Sequence, residues 1–92
     1  MKLTVKVEVG TVYPPSDINV YIREVDTKKE YTFSSDKSFE KDFNLPDGKY
    51  YIKIQGANQK NDTTKVTLSG ATQREKSTAE PFYSIFFLIK IP

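Results

Sequence analysis

The sequence predicts an all-β fold, a single antiparallel β-sandwich of about seven strands. Apolar and polar residues alternate along several segments, and turn-forming residues recur roughly every eight to twelve positions. No long segment carries the helical period. A chain of 92 residues is expected to form one domain, residues 1–92, with a single modest core. A β-barrel is the alternative fold that the same strand pattern allows.

The first two strands follow directly from this alternation. Residues 1–10 place leucine and valine on one face and lysine, threonine and glutamate on the other. Pro14 and Pro15 interrupt the pattern, because a proline cannot donate to a β ladder. Alternation resumes over residues 18–25, so a second strand with one buried face is predicted there.

Two further strands are predicted on either side of Asp36. Residues 30–35 and 38–45 both carry aromatic residues at alternate positions, and they are interpreted as a hairpin. Lys41 falls on the apolar face of the second strand. It indicates either an edge position or a lysine whose stem lies along the core while its charge reaches water.

A turn followed by an inner strand is predicted in residues 44–56, "NLPDGKYYIKIQG". Pro46 suits the first central position of a β-turn, and Gly48 accepts a left-handed backbone conformation. The residues after the turn alternate between apolar or aromatic and polar types, as expected for a strand with one buried face. Another strand is predicted over residues 63–69, after a polar connection.

The stretch from Phe39 to Gly56 resembles a recurring element of prealbumin-like β-sandwiches, the carboxypeptidase regulatory-like and Cna-B-type modules. In that element an aromatic strand is followed by Leu-Pro-x-Gly-x-Tyr and an alternating strand. The matching residues here are Phe43, Leu45, Pro46, Gly48 and Tyr50. The resemblance spans roughly residues 3–68. It implies a prealbumin-like topology and a non-catalytic accessory module, and it favours a cell-surface or secreted location.

Cna-B-type modules often carry a Lys–Asn isopeptide bond, which a buried acid after the turn promotes. The position that matches this acid holds Ile54, and the final strand contains neither asparagine nor aspartate. Lys6 alone cannot form the bond, so we expect no isopeptide here. Carboxypeptidase regulatory-like modules bring no activity of their own, and the resemblance therefore implies an accessory role.

The last third of the chain is less regular. Residues 70–81 carry few apolar side chains and are expected to be irregular, with one or two helical turns after Thr72 as the alternative. Residues 82–91, "FYSIFFLIKI", are apolar on both faces, since Phe86 and Leu88 alternate with the isoleucines. Such a strand is expected to be central and covered on both sides. A loop of this chain is the favoured cover, and a protein partner or a second copy is the alternative.

Composition argues against several functional classes. The chain has no cysteine and no histidine, which removes disulfides, thiolate ligands and the commonest general base. Its net charge is only +2 with acids and bases interleaved, so a nucleic-acid partner is not expected. No apolar run reaches membrane-spanning length, and no signal peptide is expected in this chain. We therefore expect no enzymatic activity, no cofactor, no metal site and no membrane insertion.

A few polar clusters are weighed as chemical sites and interpreted as turns. Ser34, Ser35 and Ser38 lie around a predicted turn beside Asp36, where their side chains are expected to bond to the local backbone. Asp47 and Asp62 offer oxygen ligands for calcium, but the dense Asp/Asn/Gly spacing of a calcium loop is missing.

Two surfaces are candidates for binding. An apolar interface for a protein partner or for self-association is expected around Tyr83, Phe86 and Leu88. A ligand face that stacks a glycan or holds an anionic polymer is expected around Tyr13, Tyr51 and Lys53. A basic strip on outward strand faces is a related possibility, with Lys2, Lys6, Lys53 and Lys90.

The expected function is that of a non-catalytic accessory, structural or protein-interaction module. The alternative is a module that binds a glycan or another anionic polymer. The two differ in their surfaces, because a protein partner covers apolar residues, whereas a glycan site leaves tyrosines aligned in an open groove.

Overall fold

The computed structural model describes residues 1–10 and 14–92 and confirms the all-β sandwich. Two antiparallel sheets of four strands each make up the fold. The strands among the described residues are β1 (Lys2–Val9), β2 (Ile18–Glu24), β3 (Glu30–Ser35), β4 (Phe39–Asn44), β5 (Gly48–Ala57), β6 (Thr64–Gly70), β7 (Arg74–Thr78) and β8 (Phe82–Ile91). In this part of the chain no helix is long and apolar enough to cross a membrane.

The strand order is β4-β1-β6-β7 in one sheet, called sheet I, and β3-β2-β5-β8 in the other, called sheet II. The predicted hairpin of residues 30–35 and 38–45 is wrong, because β3 and β4 lie in different sheets. The connection crosses the sandwich, and the rings of Phe33 and Phe39 pack with centroids 5.0 Å apart. Alternation specifies the buried face of each strand, and both arrangements bury the same aromatic residues.

The core lies between the two sheets and takes side chains from alternate strand positions. The inner faces predicted for the first, second and fifth strands are confirmed. Each fully buried aliphatic side chain contributes about 1.5–3 kcal/mol to folding by leaving water. The largest fully buried side chains are Leu3, Val5, Val7, Ile18, Val20, Ile22, Leu45, Tyr50, Ile52, Ile54, Leu68 and Ile91.

The turn between β4 and β5 is stabilised by Tyr50. Its ring is fully buried, and its hydroxyl donates a hydrogen bond of 2.6 Å to the carbonyl oxygen of Pro46. Gly48 has a φ of +153°, and a Cβ there would lie 2.8 Å from the Glu24 carboxylate. The predicted return of Tyr50 across the turn is therefore confirmed, and Leu45 is buried at the end of β4 as expected.

Tyr50 is expected to make the stability of the fold decrease with pH in the alkaline range. Burial, and then the nearby Glu24 carboxylate, raise the pKa of Tyr50 to about 12 from its usual 10.0. Because folding raises this pKa, the neutral phenol of Tyr50 is favoured in the native state. Its contribution to stability is complete below pH 10.0 and is lost as the pH rises toward 12. We expect the free energy of unfolding to fall across this window in the wild-type protein. Urea titrations of wild type and Tyr50→Phe at several pH values measure the effect, and an equal fall in both proteins would contradict it.

Residues 74–78 form β7, where the sequence predicted an irregular segment or helical turns. This strand contains no apolar residue, so it pairs with β6 through its backbone and through polar side chains. An ion pair of 2.6 Å joins Glu75 to Lys65 across the two strands. Because both side chains are half-exposed, this pair contributes little, and the ladder itself carries most of the pairing.

The connection from β7 to β8 is held by Asn58, which is buried. Its side-chain amide donates to the carbonyl oxygens of Thr78 at 3.2 Å and Glu80 at 2.9 Å. Its backbone N–H donates to the carbonyl oxygen of Pro81 at 2.9 Å, and its side-chain oxygen accepts a hydrogen bond from Thr64. One buried amide therefore sets where β8 begins.

The final strand, β8, is an edge strand and not the central strand that its composition predicted. It pairs with β5 along its whole length, and its inner face is buried against the core. The favoured cover, a loop of this chain, does not lie over the outer face among the described residues, since Phe86 is 44% exposed and Leu88 65% exposed. The alternative cover, a protein partner or a second copy, stays a prediction. Two apolar faces on one strand thus reflect a core face and an open surface.

Candidate interaction face

The outer face of sheet II places aromatic, apolar and basic side chains in neighbouring positions. The antiparallel register puts Lys53 of β5 between Tyr21 of β2 and Phe86 of β8. Two residues earlier on β5, Tyr51 lies between Arg23 and Leu88. We call the resulting surface the aromatic–basic face, and its members are Tyr21, Arg23, Tyr51, Lys53, Phe86 and Leu88.

Contacts within the aromatic–basic face hold its rings in place. The rings of Tyr51 and Phe86 lie 5.7 Å apart between centroids, at an interplanar angle of 35°. The Lys53 ammonium lies 5.6 Å from the centre of the Tyr21 ring, within the range of a cation–π interaction. These rings therefore form a platform with flat surfaces and a charge beside them, while Phe86 and Leu88 remain open to solvent.

The outer face of sheet I has a different character, because its strand positions carry only polar and charged side chains. Its cations are neutralised within the face. The ion pairs are Lys2–Asp42 at 3.7 Å, Lys6–Glu8 at 3.7 Å and Lys65–Glu75 at 2.6 Å. These three ion pairs, all on this side of the sandwich, are the ones that the described residues form.

The outer face of sheet II carries an excess of positive charge. Its strand positions hold four cations and one carboxylate, namely Arg23, Lys49, Lys53, Lys90 and Glu30. The carboxylate accepts a hydrogen bond of 2.9 Å from the Tyr21 hydroxyl, which raises the pKa of that tyrosine. Within the described part of the chain, none of the three lysines forms an ion pair. The face therefore carries a net positive charge, and its one carboxylate does not pair with these lysines.

A shallow depression of about 210 Å³ lies on the aromatic–basic face, lined by Arg23, Val25 and Tyr51. Val25 is 45% exposed beside it. Sites for drug-sized ligands usually measure roughly 300–1,000 Å³ and enclose most of the ligand. The depression is smaller and more open, so it suits a side chain or a residue of a macromolecule.

The structure brings together most of the residues that the sequence marked for two separate surfaces. Tyr51 and Lys53, expected on a ligand face, are the cross-strand neighbours of Leu88 and Phe86, expected on an interface. The two candidate surfaces are therefore one. Tyr13 lies outside the described residues.

Tyr83 does not belong to the exposed surface, so its expected place beside Phe86 is wrong. It occupies an inner position of β8 and is only 5% exposed. Its hydroxyl lies against Gly56, where any Cβ would collide with it, and burial raises the pKa of Tyr83. The odd-numbered residues of β8 face the core, which places Tyr83 with Ile85 and Phe87.

The predicted basic strip is divided between the two sheets. Lys2 and Lys6 lie on the outer face of sheet I, where both are ion-paired. Lys53 and Lys90 lie on the outer face of sheet II. Alternation predicted correctly that all four point outward, but it carries no information about which sheet each strand joins.

The polar clusters weighed as chemical sites make structural hydrogen bonds. Ser34 donates to the Asn19 side chain at 2.7 Å, and Ser35 donates to the carbonyl oxygen of Lys37 at 2.8 Å. Ser38 accepts a hydrogen bond of 2.9 Å from the backbone N–H of Val9. Among the described residues no group of three or more acidic side chains is placed to hold a metal ion.

Two members of this face, and one residue beside it, were not predicted as site residues. Tyr21 and Arg23 carry outward strand phases in the sequence, but their position next to Tyr51 depends on the β2–β5 register. Lys76 was missed because β7 was not predicted. Its ammonium donates a hydrogen bond of 2.6 Å to the carbonyl oxygen of Phe86 and lies 5.0 Å from the centre of the Phe87 ring.

Comparison with known protein families, curated proteins and solved structures found no match to this chain. The prealbumin-like resemblance of residues 39–56 therefore stays a prediction based on a short motif.

Proposed function

We propose that this protein is a non-catalytic accessory module that binds another protein through the aromatic–basic face. The observation that carries the proposal is the exposure of Phe86 and Leu88 beside the ring of Tyr51. Aromatic residues and arginine are enriched in protein interfaces, and exposed apolar residues grouped on one surface mark interaction sites more often than isolated ones do. Sheet I offers no comparable surface among its described positions.

A second candidate function is binding of a glycan or another anionic polymer to the same face. The observation in its favour is the set of lysines without an ion pair, together with the cation–π arrangement of Lys53 and Tyr21. Neither feature accounts for the exposure of Leu88, which contributes no hydrogen bond or charge to a sugar. Protein binding is therefore the better-supported function.

Photocrosslinking in the cells that make the protein tests this proposal. Phe86→p-benzoylphenylalanine keeps an aromatic ring at the centre of the face, and Thr67→p-benzoylphenylalanine places the same probe on the outer face of sheet I as a matched control. We expect a covalent protein adduct from position 86 and none from position 67. The mass of the adduct distinguishes a second copy from another protein. Equal adducts at both positions, or none at position 86, would contradict the proposal.

A further inference from the structure

The free edge of β8 is the longest strand edge that the described residues leave open. β8 has ten residues, whereas the other edge strands β3, β4 and β7 have six, six and five. Its inner positions are all apolar or aromatic, and its two flanking prolines, Pro81 and Pro92, lie outside it. Long edges of this kind are templates for pairing with another strand.

Both edge strands of sheet I have an inward-facing lysine, which β8 lacks. Lys41 of β4 is paired with Val5, and Lys76 of β7 is paired with Val66, so both lysines occupy inner positions. An inward-facing charge on an edge strand blocks the approach of a further strand, because pairing would bury it. β8 has no charged residue at any inner position.

Lys76 also identifies the backbone groups that face the free edge of β8. Its ammonium approaches the carbonyl oxygen of Phe86, so that carbonyl points away from β5. In a pleated strand the backbone groups of successive residues point to opposite sides. The N–H and C=O groups of Ser84, Phe86, Leu88 and Lys90 therefore face the open edge, and those of the intervening residues bond to β5.

We propose that β8 is a strand-addition site for an extended acidic segment of a partner protein, which displaces Lys76 from the Phe86 carbonyl. The inference deepens the proposed function by naming the form and charge of the partner. Added antiparallel or parallel to β8, the segment would bond to the outward backbone groups and place alternate side chains beside Phe86 and Leu88. Acidic side chains on the outer face of the segment would lie near Lys90, and any on its inner face would lie near the released Lys76.

Charge favours this occupant over a second copy of the chain. Among residues 1–10 and 14–92 the lysines on the outer face of sheet II form no ion pair, and an acidic segment supplies carboxylates for them. A second copy added at β8 would instead bring its own Lys76 and Lys90 to the same edge. An anionic glycan would satisfy the lysines but would not form a ladder with alternate backbone groups of β8.

Amide hydrogen exchange of the intact protein, followed by NMR, tests the proposal. The probe is a blocked peptide of alternating valine and glutamate, as long as β8, added up to millimolar concentration. In the free protein we expect fast exchange at Ser84, Phe86, Leu88 and Lys90. The peptide is expected to slow exchange at these alternate amides by about tenfold or more, because they gain ladder hydrogen bonds. No protection of these amides at the highest peptide concentration would overturn the proposal.

Three controls separate strand addition from simple charge attraction. Lys90→Glu is expected to weaken binding of the acidic peptide about tenfold, whereas Lys37→Glu, the same charge change in the β3–β4 connection, is not. The same peptide with lysine in place of glutamate is expected to give no protection. Ser84→Pro removes one outward N–H without touching the β5 ladder and is expected to weaken binding, while Ser84→Ala is not.

Other outcomes point to other occupants. If a heparin oligosaccharide shifts the lysine signals while the acidic peptide protects no alternate amide, the face binds an anionic glycan and strand addition is wrong. If the pure protein dimerises, with protection of the same amides at high concentration, the occupant is a second copy. Crosslinking at position 86 to a different protein, without peptide protection of the β8 edge, would sustain the proposed function and overturn only this inference.

Discussion

Ile89→Asp is expected to unfold the protein, whereas Leu88→Asp, one residue earlier on β8, is expected to leave it folded. Ile89 is 4% exposed and faces the core opposite Tyr50. Truncating such a side chain costs about 2–5 kcal/mol, and a buried carboxylate without a cation adds several kcal/mol more. The sum approaches the whole stability of a small domain, about 5–15 kcal/mol.

Leu88→Asp tests the other face of the same strand. Its side chain is 65% exposed and lies beside Tyr51, so we expect a loss of only about 1 kcal/mol, from strand propensity and cross-strand contact. Circular dichroism with thermal denaturation measures both variants. A folded Leu88→Asp that no longer forms the position-86 crosslink would place the residue in the interface. Unfolding of Leu88→Asp would assign it to the core and remove the main support for the aromatic–basic face.

Gly70→Ala is expected to lower the free energy of unfolding by about 2–4 kcal/mol. Gly70 has a φ of +87°, in the left-handed region that residues with a Cβ rarely adopt. An added Cβ would also lie 2.5 Å from the carbonyl oxygen of Lys2, a backbone atom of β1. Since Ala71 donates a hydrogen bond of 3.0 Å to the same oxygen, the backbone has little room to move.

Urea denaturation measures this effect, with Ser69→Ala as the control on the preceding residue. Ser69 lies at an ordinary strand position on the outer face, so its replacement is expected to change stability by less than about 0.5 kcal/mol. A similar small change for Gly70→Ala would mean that the β1–β6 end is free to adjust. The requirement for glycine at this position would then be wrong.

The buried face of most strands could be predicted from the sequence, because apolar residues alternate with polar ones where one side of a strand is buried. It could not predict β7. The strand reads "REKST", without a single apolar residue, and its inner positions hold Arg74 and Lys76. Edge strands pack on one side only, so their inner positions tolerate charges that a central strand could not bury. A pattern built on apolar residues therefore misses this kind of strand.

The edge position of β8 in its sheet could not be predicted from the sequence either. A strand that is apolar on both faces is typical of a central, doubly covered position. The same composition arises when one face joins the core and the other forms a surface patch, and only the pairing with β5 alone distinguishes the two. Phe86 and Leu88 were correctly placed opposite the core, but the loop expected to cover them does not do so among the described residues.

The candidate site was predictable residue by residue but not as a surface. The alternation correctly predicted that four of its residues face outward, namely Tyr51, Lys53, Phe86 and Leu88. These four residues form one surface only because the β5–β8 register pairs Tyr51 with Leu88 and Lys53 with Phe86. A shift of one residue would turn one strand's set to the other face, and turn sequences that cross between sheets do not specify that register.

The outer faces of the two sheets differ in net charge. Outward strand positions of sheet I hold three cations and four carboxylates, whereas those of sheet II hold four cations and one carboxylate. The two sheets of a sandwich stack about 10 Å apart, comparable to the Debye length of roughly 8 Å at physiological ionic strength. An approaching anionic molecule therefore senses mainly the nearer side, and the protein turns that side toward it before any contact forms. The lysines that the strand register groups on sheet II therefore orient the protein during its encounter with an anionic molecule. Added salt is expected to weaken this orientation.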